Sequence, residues 1–185
     1  MVINFYNERR KQLLEVRPND GHLGLAELEA DFNVTVVTQN IDNLHERAGS
    51  RRIIHLHGEL TKVCSSRDPY NPHYIKELKP DEYEVKFGDK AGDGTQLRPF
   101  IVWFGEPVPE IETAVNYVEK ADIFVIIGTS MNVYPAAGLL NYVPREAEVY
   151  LIDPKPVDVH SMRRIHVIQK GASEGVRELR SLLQS

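Results

Sequence analysis

Three stretches of this 185-residue chain gather side chains able to do chemistry. The first, TQNIDNLH at 38–45, sets Gln39, Asn40, Asp42, Asn43 and His45 directly after the apolar run 34–37. Amides, a carboxylate and an imidazole at a strand tip can bind a polar ligand, because open α/β sheets take ligands at the carboxyl ends of their strands. The same residue types also build ordinary turns and helix N-caps, and that reading stays open. The second stretch, HLHGEL at 55–60, is read as placing His55 and His57 two residues apart on one face of a short strand. Two imidazoles there could share a metal, or one could serve as a general base with Gly58 making room for a ligand, or both could be structural. No H-E-x-x-H and no nearby carboxylate pair completes a metal site, so the base reading ranks above the metal one.

The third stretch, FVIIGTSMN, ends a buried strand at Gly128, Thr129 and Ser130 before a helix. That arrangement can present backbone N–H groups and two hydroxyls to phosphate. It is neither a G-x-G-x-x-G fingerprint nor a P-loop, since no lysine follows. LIDPKP closes a later strand on Asp153, a carboxylate able to accept from ribose hydroxyls or simply to form an Asp-Pro turn. The loop DKAGDG has Asp89, Asp93 and Gly94 in calcium-loop phase, but Ala91 and Phe100 occupy two positions that need ligands, which rules calcium out.

Periodicity predicts the elements that must carry these groups. Residues 1–15 read as an amphipathic helix ending before Pro18, and Leu23, Leu25, Ala26 and Leu28 as a second helix. Strands are expected at 34–37, 52–56, 100–104, 123–127, 149–152 and 167–168, with helices at 111–120, 136–142 and 175–183. Between 61 and 99 the pattern breaks, with prolines, a glycine loop and little apolar period. The fold class is therefore α/β: a Rossmann-like parallel sheet with helices on both faces, spanning 1–60 and 98–185, with a small inserted module at 61–97.

Composition narrows the partners. Apolar residues make up 42% and charged residues 26%, as in ordinary globular chains, and the net charge of −5 offers no footprint for nucleic acid. No apolar run reaches membrane-span length and no signal-peptide pattern is present, so the expected location is cytoplasmic, with no membrane partner. A single cysteine, Cys64, excludes an internal disulfide framework and a four-cysteine zinc site.

Taken together and in this order, TQNIDNLHERAG, HLHGEL, RPFIVWFGEPVP and GTSMNVYPAAGLL resemble the sirtuins, NAD-dependent protein-lysine deacylases. The resemblance runs over the whole chain. It implies that Gln39, Asn40 and Asp42 line the nicotinamide and ribose pocket and that His57 is the catalytic base. It implies that Gly128, Thr129 and Ser130 hold the dinucleotide, with Asp153 and Ala172 near its adenosine end. Val102, Phe104, Gly105 and Glu106 would pair with an extended acyl-lysine peptide by strand addition. In the implied reaction the acyl group moves from lysine to ADP-ribose as nicotinamide leaves, and an imidazole suits the removal of a ribose proton. Tyr6 and Arg9 form Y-x-x-R, similar to the pair marking members that remove succinyl or malonyl groups. A guanidinium would pair there with the acyl carboxylate, although NERRKQ also reads as a solvated helix face.

Two departures from the family set further expectations. Most sirtuins hold structural zinc with two C-x-x-C pairs, whereas here Cys64 is followed by SSRDPYNPHY, so no zinc is expected. The family's opening strand and Gly-Ala-Gly pyrophosphate loop have no counterpart before the Tyr6–Arg9 helix. The expectations are weakened NAD binding and activity, and self-association through exposed sheet edges. The alternative is a catalytically inactive nucleotide- or protein-binding module, with a metal hydrolase built on His55 and His57 far behind.

Overall fold

The computed structural model describes residues 1–128, 136–156 and 164–184. Along the chain run α1 (Val2–Glu15), α2 (Asp20–Glu27), β1 (Val36–Thr38), α3 (Leu44–Ala48), β2 (Ile53–His55), β3 (Gly58–Ser65) and β4 (Lys76–Glu77). There follow β5 (Leu97–Ile101), α4 (Ile111–Val118), β6 (Ile123–Ile127), α5 (Ala136–Leu139), β7 (Glu148–Ile152), β8 (Ile165–Ile168) and α6 (Ala172–Leu183). The chain forms two compact units: Met1–Arg17, Thr38–Leu44 and His55–Val108 make the first, and Pro18–Val37, His45–Ile54 and Pro109–Ser185 the second. The first unit thus takes in far more chain than the module expected at 61–97.

In the second unit β6, β7 and β8 form a parallel sheet in that order, as the alternation of strands and helices predicts. Its core packs Leu28, Tyr150, Ile152, Ile168, Val176 and Leu179. Asn19 starts α2 by accepting from the N–H groups of Gly21 and His22, a cap that the sequence around Pro18 allows. Two glycines bring the helices in close. A Cβ on Gly24 would lie 2.7 Å from Val176 Cγ1, and one on Gly175 only 2.2 Å from Ile152 Cγ2. Alanine at 175 gains about 1 kcal/mol of helix propensity, but overpacking a closed core costs about 1–3 kcal/mol, and Ile152 is fully buried. Gly175→Ala should therefore lower the thermal midpoint, and an unchanged or raised midpoint would show that α6 has room to shift.

The first unit is built on an antiparallel sheet in the order β4-β3-β5. Here the structure corrects two expectations. The strand expected at 100–104 lies at Leu97–Ile101 and pairs antiparallel with β3, outside the parallel sheet. The supposedly patternless start of the 61–99 stretch belongs to an eight-residue strand, β3. Its pairing register shifts between Glu59 and Val63, and Val63, Cys64 and Ser65 are buried in succession, so no period of two survives to be read.

Side-chain hydrogen bonds brace this unit. Ser65 Oγ donates to Asp93 Oδ2 at 2.6 Å while accepting from the N–H groups of Arg67 and Asp68, and Thr95 Oγ1 donates to Asp93 Oδ1 at 2.7 Å. These bonds, Ser65 first and Thr95 next, hold the Asp93 carboxyl down to about 2. A carboxyl depressed by folding stabilises above its unfolded value near 4 and loses that contribution as pH falls toward 2. Asp93→Asn should accordingly flatten the acid limb of unfolding between about pH 4 and 2. An unaltered limb would place the acid sensitivity elsewhere. Cys64 is fully buried with its thiol 3.7 Å from the Pro99 carbonyl. Burial pushes that thiol up to about 11.

Candidate active site

The stretch after β1 is organised by its own side chains. Thr38 Oγ1 accepts from the Asn40 N–H at 3.0 Å, and Asp42 Oδ1 accepts from the Leu44 N–H at 3.0 Å. The turn reading is thus real for Asp42, whose carboxylate closes an Asx turn onto Leu44, the first residue of α3. Gln39 and Asn43 differ. Their side-chain oxygens, Oε1 and Oδ1, are buried with no hydrogen-bond partner among the described residues. A buried acceptor left unpaired costs about 1–3 kcal/mol, so two in one turn fit a ligand that brings donors. Carboxamide N–H and ribose hydroxyl groups, both present in NAD, are such donors.

His55 and His57 do not share a strand face. His55 ends β2, Leu56 is fully buried, and His57 sits in the turn before β3. Gly58, which follows them, has φ +82°, and a Cβ there would lie 2.1 Å from the Phe100 carbonyl oxygen. Gly58 thus makes room for the backbone of β5. Consecutive carbonyls instead orient the two imidazoles. His57 Nδ1 lies 3.1 Å from the Gln39 oxygen and His55 Nδ1 3.3 Å from the Asn40 oxygen. A carbonyl can only accept, so His57 Nδ1 carries the hydrogen and, in the neutral ring, Nε2 keeps the lone pair. That is the tautomer of a general base.

The loop 102–106 lies in the same unit. The Val102 N–H donates to the His57 carbonyl at 3.0 Å, which joins the loop to the imidazole's own backbone. Glu106 N–H donates to the Trp103 carbonyl at 3.0 Å, closing a tight turn in which Gly105 has φ +88°. Phe104 stands at the apex, wholly exposed.

Tyr6 and Arg9 lie one turn apart on α1, Tyr6 half-buried and Arg9 exposed. Arg9 donates to Gln12 Oε1 at 2.9 Å and leans over the Phe5 ring. Two neighbours that the sequence reading passed over fix this helix. Asn7 exchanges two bonds with the Val85 backbone, at 2.8 and 3.0 Å. Arg10 is buried and donates to the Leu60 carbonyl at 2.7 Å, and burial lowers its guanidinium to about 10. NERRKQ is therefore not a uniformly solvated face. No periodicity could separate Arg9 from Arg10, because both are charged and adjacent.

In the second unit, Gly128 and Asp153 follow paired strands whose last register is Ile127 with Ile152, so both stand at the carboxyl end of the parallel sheet. Gly128 has φ +62°, and none of the described residues comes within 4 Å of its would-be Cβ. Its N–H donates to the Ile152 carbonyl at 2.9 Å and is committed to the sheet. Thr129 and Ser130 lie outside the described residues. Asp153 is buried and its Oδ1 accepts from the Lys155 N–H at 2.8 Å, so the Asp-Pro turn is present. Ala172 is the first residue of α6, after β8.

Comparison with known proteins identifies the family. The sequence model of the Sir2 family matches residues 2–135. An NAD-dependent protein deacylase of Bacteroides thetaiotaomicron is 84% identical over 183 residues, 99% of this chain and 78% of that protein. An NAD-dependent protein deacylase of Helicobacter pylori is 48% identical over 178 residues, 96% of this chain and 75% of that protein. A Sir2 homologue crystallised as an NAD complex matches with TM-score 0.82 at 33% identity, covering 98% of this chain and 72% of that one. A Sir2 structure with p53 peptide and NAD matches with TM-score 0.74 at 26% identity, covering 94% and 73%. The chain belongs to the Sir2 family.

Proposed function

We propose that this chain is an NAD-dependent protein-lysine deacylase, moving an acyl group from a lysine side chain to ADP-ribose with release of nicotinamide. The observation that carries the reading is His57, whose Nδ1 bond to the Gln39 carbonyl leaves Nε2 as the basic nitrogen. When bound, NAD supplies the ribose that receives the acyl group. Gln39, Asn40 and Asp42 are assigned to its nicotinamide-ribose half, and Gly128, Thr129, Ser130, Asp153 and Ala172 to its pyrophosphate and adenosine half. His57 takes a proton from a ribose hydroxyl. The backbone around Val102, Phe104, Gly105 and Glu106 is assigned to the substrate peptide. A relative solved with a propionylated peptide supports an acyl-peptide substrate.

The acidic-acyl preference is a finer assignment. Tyr6 and Arg9 support it by their spacing and by the exposure of the guanidinium. Self-association is assigned to β6, an apolar strand that pairs only with β7 among the described residues. No helix among the described residues is long and apolar enough to cross a membrane.

The experiment is direct. Purified protein, NAD and an acyl-lysine peptide should yield nicotinamide and deacylated peptide in equal amounts, and omission of NAD should stop both. Peptide deacylation that proceeds without NAD would refute the reading.

A further inference from the structure

Arg98 lies in β5, ahead of the loop assigned to the substrate peptide, and none of the roles above uses it. We propose that Arg98 is the positioning residue for that loop, clamping Glu106 and Trp103 so that 102–106 holds one register against His57. The proposal rests on the deacylase reading and on the assignment of this loop to the peptide.

The geometry is that of a fork closed on three sides. Arg98 is buried, and its Nη1 and Nη2 donate to Glu106 Oε1 and Oε2 at 2.7 and 2.9 Å. Nη2 also donates to the Ile101 carbonyl at 2.8 Å. The Trp103 ring covers the guanidinium, with Cζ 3.8 Å from the ring centroid. Glu106 Oε2 then accepts from the Trp103 N–H at 2.9 Å, so the carboxylate ties the first half of the turn to the last. The bond from Val102 N–H to the His57 carbonyl anchors the loop's other end.

Glu106 is consequently spent inside the protein. Its carboxylate satisfies Arg98 and Trp103, and the hydrogen bonds from Arg98 hold its carboxyl below the usual range. Phe104 and Gly105 are thereby displayed on a loop whose shape is set before a peptide arrives, which reduces the ordering cost of binding. A lysine at 98 keeps the charge but cannot form the two parallel bonds.

The test uses the whole chain and its one tryptophan, Trp103, as a spectroscopic reporter of the clamp. Steady-state kinetics on an acetyl-lysine peptide would compare wild type, Arg98→Lys and Arg98→Met. We expect Arg98→Met to raise the peptide KM about tenfold or more and to move the NAD KM less than about twofold, with Arg98→Lys between. Trp103 emission should shift in the same order. Glu106→Gln, which keeps the shape and removes the charge, should raise the peptide KM likewise and carries the test if Arg98→Met does not fold. An unchanged peptide KM in a folded variant, or peptide and NAD KM rising together, would overturn the clamp. In that case wild-type turnover shows that the deacylase reading survives, whereas wild type that releases no nicotinamide removes both.

Discussion

His57→Ala should reduce NAD-dependent deacylation by about 10²–10⁴-fold, the usual contribution of a positioned general base. The structure makes this a clean substitution, because among the described residues the imidazole is tied to the fold by the bond from Nδ1 to the Gln39 carbonyl. Removing it should leave circular dichroism and thermal unfolding close to those of wild type, since Leu56 and Gly58 on either side do the packing. His55→Ala should be milder, because the reaction needs a single base at the ribose. Equal losses from both, restored by an added divalent metal, would point to metal-dependent hydrolysis instead. A His57→Ala enzyme with near-normal turnover would remove the assigned base altogether.

Arg9→Met should have a smaller but selective effect. A charge-assisted hydrogen bond is worth about 1.5–3 kcal/mol, so losing the partner of a succinyl carboxylate should lower kcat/KM for a succinyl-lysine peptide about ten- to a hundredfold. Deacetylation has no such carboxylate to lose and should change little. Arg9 is exposed, with Gln12 and the Phe5 ring as its partners, so the guanidinium can swing to a ligand without breaking buried structure. The comparison of two acyl groups on one peptide removes differences in protein quality. Equal losses on both peptides would deny Arg9 an acyl-reading role.

Much of this was legible in the sequence, for reasons that particular segments make plain. The strand at Ile123–Ile127 is continuous, apolar and ends on glycine, so its bounds are predicted to the residue. The helix at Val2–Glu15 stops where an extended residue precedes Pro18. What escaped was set by tertiary pairing. Nothing local says that Gly58 yields to the Phe100 carbonyl, or that β5 runs antiparallel to β3 across a register shift. Buried arginines are equally silent. Arg10 and Arg98 look like surface charge in the sequence and become internal only through partners 50 and 8 residues away. The candidate site was legible through residue types at strand ends, whereas the committed Gly128 N–H and the unpaired Gln39 and Asn43 oxygens needed coordinates.

The lone cysteine has a practical consequence. Burial pushes the Cys64 thiol up to about 11, which disfavours the reactive thiolate, and the residue has no solvent exposure. Thiol-directed reagents therefore find a shielded, weakly reactive sulfur in the native chain. A cysteine introduced at an exposed position such as Phe87 would be labelled against a silent background. Fluorophores or spin probes could then be attached at single sites without first deleting the native thiol.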